Sequence, residues 1–135
     1  MTVANEQIAE SSSKGLLNFR ITVERLLELL DLEEEDEYGI FKPTEYAFRT
    51  AMKWVVEAYD VLGGNFPKAS AATDYRGSIT LDWTSLEPDR TVRLFCPFSQ
   101  EQPVDIFHHT EDEYAVEDII SSPRLVYWLQ WFNET

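Results

Sequence analysis

Residues 77–96 read GSITLDWTSLEPDRTVRLFC, and residues 103–116 read PVDIFHHTEDEYAV. Ile79, Leu81 and Trp83 alternate with Ser78, Thr80 and Asp82. Val92, Leu94 and Cys96 alternate with Arg93 and Phe95, and Val104, Ile106 and His108 with Asp105, Phe107 and His109. A period of two sends successive side chains to opposite faces, so each run reads as a strand with one buried side. Turn residues separate the runs at Ser85 to Asp89 and at Pro97 to Pro103. Tyr114 and Val116 follow after the polar turn Thr110-Glu111-Asp112. The reading is a three- to four-stranded antiparallel meander.

The same alternation gives a register. If Leu81 faces Leu94, Asp82 faces Arg93 on the other side. If Leu94 faces Val104, Asp105 lies next to Arg93. The outer face is then expected to carry Asp82, Arg93 and Asp105 as one ion triad.

Outward from the meander the period changes to that of helices. Residues 1–13 are polar, end in Ser11-Ser12-Ser13 and read as a flexible tail supplying a helix cap. From Leu16 to Leu32, Phe19, Val23, Leu26 and Leu30 form a stripe, so a first amphipathic helix is expected there. The five carboxylates Glu33, Glu34, Glu35, Asp36 and Glu37 then oppose the helix dipole and end it. A second helix begins near Pro43-Thr44, buries Ala47, Ala51, Val55, Ala58 and Leu62, and stops at Gly63-Gly64. Residues 65–76 read as an extended crossing with a short edge strand. A last helix starts at Ser122-Pro123, with Leu125, Val126, Trp128, Leu129 and Phe132 as its apolar face and Trp131 at the edge. It is expected to pack on the sheet. Helices, then strands, then a helix make an α+β chain, with 14–135 as one domain.

Eleven Lys and Arg stand against 25 Asp and Glu, for a formal net charge of −14. Such a field repels duplex nucleic acid and anionic membranes, so neither is expected as a partner. It serves solubility, and it also suits a basic protein partner. Cys96 is the only cysteine, which rules out an intrachain disulfide. The first residues lack a basic then apolar leader pattern, and no apolar run reaches membrane-spanning length, so a cytoplasmic protein is expected.

The chemistry-bearing residues are few. His108 and His109, with Asp105, Glu111, Asp112 and Glu113 nearby, resemble a set of metal ligands. Neighbours on a strand point to opposite faces, however, so the two imidazoles are weak metal candidates. A half-buried His108 and a solvent-facing His109 are expected instead. Cys96 reads as a buried structural thiol, since the register separates it from His108. No nucleophile elbow, phosphate loop, paired-cysteine or zinc-helix spacing occurs, and no catalytic residue or cofactor is assigned. Arg20, Arg25, Arg49 and Lys53 lie among acidic residues, as ordinary helix-surface pairs do.

The stretch from Gly77 to Trp83, then Thr91 to Cys96, with Glu113-Tyr114 and Leu129-Gln-Trp-Phe132, resembles a group of small uncharacterised bacterial proteins, cyanobacterial ones among them. The likeness covers residues 65–132. It implies a glycine-led strand, a meander and a final aromatic helix, and it brings no activity with it. Three functional readings follow. The leading one is a non-enzymatic interaction or regulatory module, in one form an antitoxin-like inhibitor of a basic protein, with Glu33, Glu34, Glu35, Asp36, Glu37 and Trp131 as contacts. The second is a small metal-dependent hydrolase using His108 or His109 and neighbouring carboxylates. The third is a structural homodimer.

Overall fold

The structure, a computed structural model, describes residues 3–32, 42–119 and 121–134. Five strands form one antiparallel sheet in chain order: β1 (Ser70–Thr73), β2 (Ile79–Leu86), β3 (Asp89–Cys96), β4 (Val104–Thr110) and β5 (Tyr114–Ile119). The alternation carries through. Ile79, Leu81, Trp83, Val92, Leu94, Cys96 and Ile106 are fully buried on one side. The crossing segment supplies β1 and the chain after Glu113 supplies β5, so the sheet has five strands rather than three or four.

β2 and β3 pair as the sequence dictates, Leu81 with Leu94 and Asp82 with Arg93. β3 and β4 do not. Leu94 faces Ile106, Arg93 faces Phe107, and Asp105 faces Phe95. The expected triad is therefore a pair, with Arg93 Nε 2.6 Å from Asp82 Oδ1 and its guanidinium over the Phe107 ring at 5.6 Å. A slip of two residues keeps every side chain on its face, so alternation cannot detect it. The loop after Cys96 is too long to impose a register by itself.

Three helices cover the buried side. Helix α1 runs Val3–Glu28 and continues as a short 3-10 turn, Leu29–Asp31. The segment expected as a tail is thus helical from Val3. Residues 3–13 are good enough helix formers to extend a helix that packing nucleates further on. Gly15 makes that packing close, because a Cβ there would sit 2.2 Å from the carbonyl oxygen of Gly63. Thr22 then ties α1 to the sheet: its hydroxyl donates to the Asn18 carbonyl at 2.9 Å and accepts from Ala69 N–H at 3.0 Å. Arg25 donates to the Ala69 carbonyl at 2.8 Å.

Helix α2 (Glu45–Leu62) is capped by Thr44, whose hydroxyl accepts from Ala47 N–H at 3.1 Å and donates to the Phe98 carbonyl at 2.8 Å. It ends at Gly63 with φ +50°, a conformation open to glycine. Helix α3 (Ser122–Asn133) carries Pro123 in its first turn and buries Leu125, Val126 and Leu129. The core between layers centres on Phe66, which makes edge contacts with Phe19, Tyr59 and Trp83. The Trp83 indole N–H donates to the Pro67 carbonyl at 2.9 Å. No described helix is long and apolar enough to cross a membrane.

Candidate functional site

The two histidines separate. His108 points to the helical side and stacks on Trp128, with ring centroids 3.6 Å apart. His109 lies on the other side, parallel to Phe107 at 5.9 Å. They do not converge, and among the described residues no three His, Cys, Asp or Glu side chains gather around a common point. Cys96 is fully enclosed, and burial pushes its thiol up to about 12, so it stays protonated and unreactive.

The polar cluster around His108 fastens α3 to the sheet. Register opposite Ile106 turns Glu117 of β5 toward the helices. There it accepts from Arg124 Nη2 at 2.5 Å and from the Trp128 indole N–H at 2.6 Å. The bond from Arg124 holds the Glu117 carboxyl below its ordinary range, against the opposing effect of burial. Burial lowers the pKa of His108, Arg124 lowers it further, and Glu117 acts in the opposite sense. Trp131 is half-buried rather than exposed. Arg90 lies over its ring at 5.1 Å and donates to its carbonyl at 2.7 Å. The exposed ring of α3 is Tyr127, with Arg124 above it at 4.6 Å. The cluster joins β5 to α3 through Glu117, which accepts from both Arg124 and Trp128, with His108 stacked on the Trp128 ring.

The opposite side of the sheet is different. Among the described residues no helix lies on it. Arg93, Tyr114, Val116 and Asp118 are exposed there, with Phe95 and Phe107 half-buried between them. Tyr114 is 73% and Val116 57% exposed. Both stand on an edge strand that pairs only with β4. Their alternation resembles that of a buried strand face, yet the register places His109 opposite Tyr114 and Phe107 opposite Val116, all on the outer side. Glu111, Asp112 and Glu113 form the adjoining turn and are exposed. The surface is apolar at its centre and acidic around it.

One feature of this face is chemically unusual. Asp105 of β4 and Asp118 of β5 are direct cross-strand partners. Asp105 Oδ1 is enclosed and has no hydrogen-bond donor. Its pKa is pushed up to about 6, first by burial, then by the hydrogen bond with Asp118 and by that neighbour's charge. The neighbouring carboxylate thus adds to burial in disfavouring the ionised form of Asp105. Beside Asp105, between the turn 74–78 and the loop 97–103, runs a groove of about 490 Å³ bordered by Tyr75, Arg76, Ser78, Phe95 and Gln102. The acidic run Glu33 to Glu37, read from the sequence as a contact, lies outside the described residues.

Comparison with protein families, with curated proteins and with solved structures gave no match.

Proposed function

We propose that the chain is a non-enzymatic interaction or regulatory module that binds a basic protein through the uncovered face of β4 and β5. An inhibitor masking a cationic surface, in the manner of an antitoxin, is one form of it. The observation that carries this reading is the pair Tyr114 and Val116, exposed on an edge strand and bordered by Glu111, Asp112, Glu113 and Asp118. Apolar side chains on an exposed strand gain by burial, aromatic anchors dominate protein interfaces, and an acidic rim steers a cationic partner. The formal net charge of −14 adds a long-range attraction of the same sign.

The test compares the tagged chain with a Tyr114→Ala/Val116→Asp variant as bait in an extract of the native host, at low and then rising salt. The expected result is one basic protein held in stoichiometric amount by the unaltered chain, released by salt and absent from the variant. A chain recovered alone or as its own dimer, or a partner that the variant keeps, overturns the reading.

A further inference from the structure

We propose that the basic partner contributes an extended segment that pairs along β5 as a further strand of the sheet, with cationic side chains toward its ends. This rests on the reading of the β4–β5 face as a binding surface and names how the partner is held there. The pairing of β4 with β5 decides which main-chain groups stay open. At the turn, Thr110 N–H donates to the Glu113 carbonyl at 2.8 Å. The register then runs without a bulge from His109 opposite Tyr114 to Val104 opposite Ile119. In an antiparallel ladder successive residues turn their N–H and C=O alternately toward one neighbour and the other. Ala115, Glu117 and Ile119 therefore bond to β4, while Tyr114, Val116 and Asp118 turn theirs away from it. β5 is an edge strand, and among the described residues no main-chain group pairs with these three on the open side. Each offers one donor and one acceptor to an incoming strand.

The side chains agree with the backbone. The residues with open main-chain groups are the ones that stand exposed on the outer face. A strand added there lays its bonded residues on that same face, directly beside Tyr114, Val116 and Asp118. Edge strands are commonly guarded against pairing by proline, lysine, a bulge or shortness. β5 is six residues long, YAVEDI, and carries no proline, lysine or bulge. The other edge, β1, has only four residues, and Ala69 just before it is bound to α1 through Thr22 and Arg25. What guards β5 is acidic charge, from Glu111, Asp112 and Glu113 at one end and Asp118 at the other. That charge selects the occupant. Antiparallel pairing of β5 with a second copy about Val116 brings the Glu113 end of each chain against the Asp118 end of the other, and sets two chains of net charge −14 side by side. Like charges so placed disfavour the pairing, so a second copy is refused. A segment with a cation opposite Asp118, a β-branched residue opposite Val116 and a further cation near the turn meets opposite charge and apolar surface together. Tyr114 offers its ring face to a cation between them.

The probe is the peptide acetyl-Arg-Thr-Val-Thr-Arg-Thr-Lys-amide, added to the 15N-labelled full chain. Antiparallel alignment sets its first arginine opposite Asp118, its valine opposite Val116 and its second arginine opposite Tyr114. Two further versions carry N-methyl groups. One is methylated at the valine and the second arginine, whose N–H groups face β5 in an added strand. The other is methylated at the first two threonines, whose N–H groups face away. The unmodified peptide is expected to bind at millimolar concentration or below, to shift the amides of Tyr114, Val116 and Asp118, and to slow their exchange with solvent. Methylation at the valine and arginine removes two main-chain bonds and should weaken binding by about ten-fold or more, whereas methylation at the threonines should cost less than about three-fold. A version with glutamate in place of every cation should not bind. Absence of binding by the unmodified peptide at millimolar concentration, or equal affinity of the two methylated versions, overturns the inference. So does a chain that forms its own dimer through β5, seen by sedimentation and lost in Tyr114→Ala/Val116→Asp. If a natural partner is held by the unaltered chain and lost by that variant, yet the peptides bind without regard to methylation, this inference falls alone and the face remains a binding surface.

Discussion

Asp105 is protonated more readily in the folded chain than in an unfolded one, with its pKa pushed up to about 6 by burial and by Asp118. A carboxyl raised in this way favours the fold fully below its ordinary value. That contribution is lost as pH rises through the folded value, so the pair costs stability above about pH 6. Asp118→Asn removes the like charge and offers an amide donor to Asp105. The expected outcome is a gain of roughly 1 kcal/mol at pH 7.5, after allowing for solvent screening, that vanishes below pH 4. Urea unfolding across that range measures it. Glu117 has the opposite sign. Its carboxyl is held below the ordinary range chiefly by Arg124, so its contribution is present above that range and lost as pH falls through the folded value. Glu117→Gln keeps the shape and weakens two charge-assisted bonds, which should cost about 1–2 kcal/mol at pH 7. The difference from the unaltered chain should shrink in acid, as both come to carry a neutral group there.

At the scale of elements, packing decides where the sequence alone is silent. Gly15 on α1 meets the backbone of Gly63 and Gly64 at the end of α2. Backbone cannot step aside as a flexible side chain can. Gly15→Ala should therefore lower the unfolding free energy by about 2 kcal/mol, visible in denaturant as a lower midpoint with an unchanged slope. The apolar stripe from Leu16 onward marks this helix, but nothing in residues 3–13 marks its beginning, because a helix can extend through polar residues once its other end is docked. β2 and β3 are legible to the residue, since a tight turn and strict alternation agree on Leu81 opposite Leu94. β4 shows its faces but not its register, and the slip separates Asp105 from Arg93 and gives it Asp118. The opposite placement of His108 and His109 follows from strand parity and is legible. Glu117 is not, because its inward position depends on pairing with β4 and on a helix that follows it in the chain. Tyr114 and Val116 look like core by type, and only the pairing with His109 and Phe107 places them on the outer side.

For the whole molecule, charge acts on folding and on association with opposite sign. Twenty-five acidic residues against 11 basic ones repel one another in the compact state. The ion pairs that do form, such as Arg49 with Glu45 and Arg93 with Asp82, are largely at the surface and contribute little each. Salt screens the repulsion over most of the molecule, since the Debye length falls from about 14 Å at 50 mM to about 6 Å at 300 mM. Thermal unfolding should then shift upward by a few degrees between those concentrations. In the proposed complex the same screening would weaken the attraction between a cationic partner and the acidic rim around Tyr114 and Val116. Affinity for that partner should fall by about ten-fold or more over the same range, mainly through slower association. Calorimetry on the chain alone and surface-capture kinetics on the complex measure the two responses. An interface held chiefly by apolar contact would keep its association rate while the fold gained stability. A rate that falls as the melting temperature rises assigns to the net charge a role in recognition as well as in solubility.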